Sequence, residues 1–448
     1  MKSIIKQHGI ALLIFILVMA TAAASVTVKA LNNASQNYQI AREKITSAAL
    51  AQAKDALIGY ASSVDLSSSS RRPGDLPCPD TNNDGITETS CGNASGSTGQ
   101  SLRIGRLPWK TLGLPDLRDG SGERLWYAVS NNFKYNTRTS CSSAGQPGCL
   151  NSDTVGTISI FAANGTILSD GGGNTGAVAV IIAPGNILTR SDKSSPQDRS
   201  NTGINDPQNY LDIALGKDNA NFADSSSTNG FIQGIIKDSN GKTILNDQLL
   251  IITQEEIMKP IQKRVAGEVK NCLNDYALHN NNRYPWAAPI TDLSSIYNDN
   301  TDTYFGRIPD YLGNTQNDSD YHMSVHWGSC NTDTNNTPSR WWLNWKEMVF
   351  YGVAKNFKPR DSSAPGFPST CASAGNCLNI NRSNIPARFV VIVAGKTLNN
   401  PNQTNRNSNK SSAFYYLEGG NQNVDQSGGY TFTQMSPSTT FNDTLEFQ

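Results

Sequence analysis

Hydrophobic residues are distributed very unevenly along this chain. From Ile10 to Met19 every position is apolar, and small uncharged residues carry the run on to Val28 before the next charge at Lys29. About 18 or more such residues predict a helix long enough to cross a bilayer. Lys2, Lys6 and His8 precede the run and place its leading end in the cytoplasm. The period then changes. Ala41, Ile45, Ala48, Ala49, Ala53, Ala56, Leu57 and Tyr60 recur at helical spacing, with Arg42, Glu43, Lys44, Gln52, Lys54 and Asp55 between them. Neither proline nor glycine interrupts residues 10–58, which predicts one continuous helix. A second helix is predicted from Thr253 to about Leu278, where Thr253 and Glu256 form a capping box. Pro260 either kinks this helix or marks its start.

Beyond the first helix the pattern occurs twice. Leu125-Trp126-Tyr127-Ala128-Val129 through Phe133-Lys134 is answered by Val349-Phe350-Tyr351-Gly352-Val353 through Phe357-Lys358. Cys141 and Cys149-Leu150-Asn151 match Cys371 and Cys377-Leu378-Asn379. Buried-strand patterns follow at Ala177–Gly185 and Arg388–Gly395. Tyr210-Leu211 then answers Tyr416-Leu417, and Leu245-Asn246-Asp247 answers Phe441-Asn442-Asp443. Five anchors in one order predict a duplicated head, each copy a helix laid on an antiparallel sheet.

Composition narrows the setting. Lysine plus arginine and aspartate plus glutamate both number 37, so no bulk charge draws nucleic acid. Only 17% of residues are charged, while Asn, Ser, Thr and Gly abound, as in an exported, loop-rich protein. Cys78, Cys91, Cys141, Cys149, Cys272, Cys330, Cys371 and Cys377 are even in number and favour disulfides in an oxidising compartment. Proximity suggests Cys78–Cys91, Cys141–Cys149 and Cys371–Cys377, leaving Cys272–Cys330. Closing the short Cys141–Cys149 loop contributes roughly 2–3 kcal/mol in the chain-entropy view.

The start, Lys6-Gln7-His8-Gly9-Ile10-Ala11-Leu12-Leu13, resembles the class III signal of type IV pilins and type II secretion pseudopilins. That resemblance covers about the first sixty residues. It implies cleavage by a prepilin peptidase between Gly9 and Ile10, with the apolar helix retained to pack against other subunits. Most family members carry Glu at the fifth mature position, where this chain has Ile14. An unpaired acid within a membrane helix costs roughly 2.5–3.5 kcal/mol, and a subunit at a fibre tip has no neighbour to pair it. The resemblance therefore implies a minor, tip-proximal subunit, inserted once in the inner membrane and then carried into a periplasmic or extracellular filament. A competing pattern is present: Ala20-Thr21-Ala22 and Ala22-Ala23-Ala24 fit an ordinary signal-peptidase site, whose use would release a secreted binding protein. A third reading is a membrane-anchored assembly factor that never enters a fibre.

Candidate chemistry is sparse. Asp80, Asn82, Asp84, Ile86 and Glu88, with Gly85 at the sixth loop position, have the ligand spacing of calcium loops, but Cys91 stands where a bidentate Glu is expected. The alternative is an Asx-rich turn stapled by Cys78–Cys91. Leu117–Tyr127 is similar to the Asp-Pro-Trp-Gly turn of major pseudopilins, with Gly120 and Ser121 replacing Pro and Trp. It is expected to lead into a strand at Arg124–Val129, with Trp109 and Trp126 on the helix. Trp341-Trp342-Leu343-Asn344-Trp345 is expected to introduce the second head's central strand. His322 and His326 lie on an expected strand, where residues four apart sit roughly 13 Å apart and do not chelate one ion. Nucleophile-elbow, phosphate-loop and dinucleotide motifs are missing from the sequence, and no catalysis is expected. The expectation is α+β: a leader at 1–9, a transmembrane and amphipathic pilin helix at 10–60, and pilin-like heads at 61–252 and 253–448. The expected partners are other pilin subunits, the inner membrane, and a surface or secreted ligand.

Overall fold

A computed structural model describes residues 36–64, 71–92, 100–134, 149–200, 202–280, 282–294, 297–310, 340–359, 371, 376–381, 383, 386–399 and 403–448. The first helix, α1, covers 36–62. Strands β1 (Ile104–Arg106), β2 (Trp126–Val129), β3 (Ala179–Ala183) and β4 (Gln248–Ile252) form one antiparallel sheet in chain order. Helix α2 (Gln254–His279) follows, and its start is fixed by Thr253 and Glu256, which cap each other's backbone. Pro260 therefore lies inside the helix. A second sheet repeats the first: β5 (Phe305–Arg307), then, after the short helix α3 (Arg340–Trp345), β6 (Val349–Val353), β7 (Phe389–Val393) and β8 (Thr444–Phe447).

Both sheets are covered on both faces, which explains strands such as Ala179-Val180-Ile181-Ile182-Ala183 that are apolar at every position. In the first sheet Tyr127, Val129 and Ile181 join α1 residues Ala53, Leu57 and Ala61 in the core, while Trp126, Ala128, Val180 and Ile182 pack under an outer layer that holds Tyr210 and, from a separate three-stranded sheet, Ile160 and Phe231. Helix α2 lies on β7 and β8. It also runs beside α1 in the same direction, since Lys54 pairs with Glu256 and the Arg264 guanidinium donates to the Ser62 carbonyl. One hydrophobic cluster thus runs from α1 through α2 into the second sheet. Buried aromatic hydroxyls mark the repeat, for Tyr127 donates to the Pro77 carbonyl and Tyr351 to that of Pro285.

This architecture corrects the expected fold class. Among the described residues there is no long pilin-like helix carrying heads, and most of the described molecule is small sheets. Among the described residues no helix is long and apolar enough to cross a membrane. Helix α1 is amphipathic, with Ala49, Leu50, Ala53 and Leu57 buried and charged residues between. Its first turns run clear of the core, leaving Tyr38, Ile40 and Ile45 exposed. A single-pass inner-membrane location with the N-terminus inside is therefore not supported, and the leader, Gly9, Ile10 and the apolar run at 10–28 lie outside the described residues. The disulfides Cys78–Cys91 and Cys371–Cys377 form as expected. Cys149 and Cys272 are disulfide-bonded too, while Cys141 and Cys330 lie outside the described residues. So do His322 and His326.

Trp341–Trp345 lies in the short helix α3, which leads into β6 as expected, and both Trp341 and Trp345 are buried in the core. Two local expectations change. Trp126 faces the outer layer instead of the helix, because successive strand residues alternate faces and Tyr127 takes the helix side. The Trp109 ring lies against Gly85, whose φ of 86° and absent Cβ permit the approach.

Candidate functional site

The loop that follows β3 and the start of β4 are joined by buried polar side chains, and the second sheet carries the same arrangement. Arg199 donates to the carbonyls of Gly185, Asn209 and Tyr210 and to the Gln197 side chain. Arg406 donates to Gly395, Tyr415, Tyr416 and Gln403. Gln197 Nε2 donates to Asp212 at 3.0 Å, and Gln403 Nε2 to Glu418 at 2.7 Å. The Asp212 amide donates to Asp247 Oδ2 at 2.8 Å, and the Glu418 amide to Asp443 Oδ2 at 3.0 Å. In return the Asn246 amide donates to Asp212, and the Asn442 amide to Glu418. Asn219 and Asn421 complete each clasp by donating to Asp247 and Asp443.

These pairs put two acids together away from water. Burial pushes the Asp212 carboxyl up to about 6, against the pull of the Asn246 amide and of Arg199 and Arg190. Burial and the neighbouring Asp212 charge push Asp247 well above the usual carboxylate range. Glu418 is raised by burial, and Asp443 is raised well above its usual value by burial and by Glu418. Oδ1 of Asp247 and of Asp443 has no hydrogen-bond partner among the described residues. Each clasp is a hydrogen-bonded lock that fixes a long loop over its sheet. Over each lock an arginine stacks between aromatics: Arg106 lies 3.9 Å from Tyr210 and 4.3 Å from Trp126, and Arg307 lies 4.5 Å from Tyr416 and 4.3 Å from Phe350.

Polar contacts also join the copies to each other. Asn344 accepts from the Leu150 amide, Ser152 donates to the Ala394 carbonyl, and Asp153 pairs with Arg406 at 2.8 Å in a nearly dry setting. Beside this seam lies a groove of about 970 Å³. The first turns of α2 line it, with Leu168 and Asn174 of the first copy and Lys396 and Met435 of the second. Lys396 Nζ donates across to the Asn174 carbonyl, and burial lowers its pKa.

Comparison with known proteins found no matching family model, no matching curated protein and no matching solved structure.

The calcium-like loop folds around its own first residue. Asp80 Oδ1 accepts from the amides of Asn82, Asn83 and Asp84, and Oδ2 from Gly85. Asn82 accepts from Asp84, Asp84 from the Ile86 amide, and Glu88 from Thr81. Arg124 and Lys110 donate to the Asn83 and Asp84 carbonyls. Burial raises the Asp80 pKa despite these amides. Among the described residues no group of three or more His, Cys, Asp or Glu side chains is placed to hold a metal ion. The turn at Asp119 forms: its Oδ1 accepts from Ser121 and Glu123, and Gly120 docks on α1 through Arg42 and Thr46.

Sequence reasoning reached Tyr210-Leu211 and Asn246-Asp247 but not the clasps they serve. The missed signal was adjacent. Asp212 and Glu418 directly follow the matched Tyr-Leu pairs, and Ile104-Gly105-Arg106-Leu107-Pro108 matches Phe305-Gly306-Arg307-Ile308-Pro309.

Proposed function

We propose that this chain is an exported, non-enzymatic subunit of the pilin-like kind, serving a type IV pilus or a type II secretion-like apparatus, and that its role is recognition. The observation that supports this best is the seam. Two copies of one sheet unit are locked by buried polar contacts into a single body, and a groove is left open beside the junction. Such a body is a rigid scaffold for presenting a binding surface rather than a catalytic cleft. The leader ending at Gly9 supports membership of the filament system, and the disulfides fit an oxidising compartment. Other subunits and a prepilin peptidase are its proposed partners.

Mass spectrometry of the native protein tests the reading. A mature start at Ile10, with co-sedimentation in sheared filaments, is expected. A start near Ser25 and a wholly free protein would overturn filament membership and favour the secreted binding protein for which Ala20-Thr21-Ala22 and the disulfides speak. Calcium enters the proposal at the Asp80–Glu88 loop alone, and calorimetry with millimolar calcium decides it: no heat removes the ion.

A further inference from the structure

The groove has two properties that together define an occupant. The first is its relation to the sheets. β4 and β8 are the last strands of their respective sheets, and the groove is lined by Ile251 of β4 and by Thr444 and Leu445 of β8. Ile252, at the end of β4, directs its carbonyl toward the β3 side, accepting from the Val178 amide. The alternation of an antiparallel ladder then turns the backbone groups of Leu249 and Ile251 to the opposite side. A sheet edge of this kind is a template for an added strand.

The second property is chemical. Lys259, Lys263 and Lys396 line the groove, with Glu255 as the exposed acid among its lining residues. Leu168 and Met435 are 53% and 43% exposed and come from different copies, and Met258 contributes from α2. Lysines interleaved with apolar side chains suit a strand whose successive residues alternate between acid and hydrocarbon, because strand side chains alternate sides. The volume is at the upper end of the range for small-molecule clefts, about 300–1,000 Å³, and accommodates several residues of an extended chain.

We infer that the groove between the two copies binds an extended, acidic polypeptide segment that pairs with the edge of β4 and places its carboxylates on Lys259, Lys263 and Lys396. This rests on the reading of the body as a recognition scaffold and names its ligand class. Lys259 and Lys263 are one helical turn apart on α2 and reach adjacent carboxylates, while Lys396 already spans the seam toward Asn174. Binding is therefore expected to weaken as salt rises.

The test uses the full chain and a fluorescein-labelled octapeptide of alternating Glu and Val, blocked at both ends, followed by fluorescence anisotropy. The Glu peptide is expected to bind, and its Lys counterpart is not. Lys259→Glu together with Lys263→Glu is expected to weaken the Glu peptide at least tenfold and to recruit the Lys peptide, with an unchanged melting temperature showing that the fold survives. Methylating alternate peptide nitrogens is expected to abolish binding by blocking the ladder. Equal binding of both peptides, unchanged affinity in the doubly reversed variant, full binding of the methylated peptide, or no binding at all would each overturn the inference. So would saturation of the groove by a sulfated oligosaccharide that the peptide fails to displace. None of these outcomes alters the mature N-terminus or the filament fraction, so the broader functional reading stands or falls separately.

Discussion

Asp212 gives the sharpest quantitative test of the polar clasps. Its carboxyl is buried against Gln197, Asn246 and Asp247, and folding raises its pKa from an ordinary 3.8 to about 6. A shift of about two units corresponds to roughly 3 kcal/mol. The direction follows from proton linkage. The folded protein binds this proton more tightly than the unfolded chain, so the contribution is fully present below about pH 4 and lost as pH rises through about 6. Asp212→Asn removes the titration. It also turns one of two accepting positions into a donor facing Gln197 or the Asn246 amide, at a cost of about 1–3 kcal/mol at low pH. Other carboxylates act in the opposite sense, for Asp116 and Glu256 are held low by Arg124 and Arg118 and by Lys54 after burial is overcome. The quantity to measure is therefore the stability difference between wild type and Asp212→Asn, from urea unfolding at pH 4, 5, 6 and 7. That difference should fall by about 2.5 kcal/mol from pH 4 to pH 7. A constant difference would mean that the carboxyl does not titrate in this window. An increasing one would mean that it behaves as an ordinary paired carboxylate, and the account of the clasp would be wrong.

Further outcomes follow from the same structure. Tyr127→Phe and Tyr351→Phe each leave a buried proline carbonyl without its donor, so both should cost about 1–2 kcal/mol by denaturant unfolding, and unequal costs would argue against equivalent roles. Asp153→Ala strips the buried Arg406 guanidinium and the Thr397 amide of an acceptor at the seam. It should cost about 3–5 kcal/mol, and calorimetry should show the single transition separating into two. Thr253→Ala removes the cap of α2 and should cost about 1 kcal/mol, read as a lower urea midpoint at unchanged slope.

Local patterns in the chain determined much of this molecule. The capping box at Thr253 and Glu256, the apolar runs that became β3 and β7 and two short-range disulfides are all properties of neighbouring residues, and each formed where expected. The membrane half of the first helix, and the location drawn from it, did not follow into the described structure, where α1 is an amphipathic helix along the core. Period alone also misplaced Trp126, because strand alternation says that neighbours face opposite sides but not which side meets the helix. Only the tertiary structure could bring Gln197, Asp212, Asn219 and Asp247 into one lock, since long loops separate them and no sequence period connects them. The groove depends on the relative placement of two sheets, which is decided by a few buried contacts such as Asp153 with Arg406, between residues 253 positions apart.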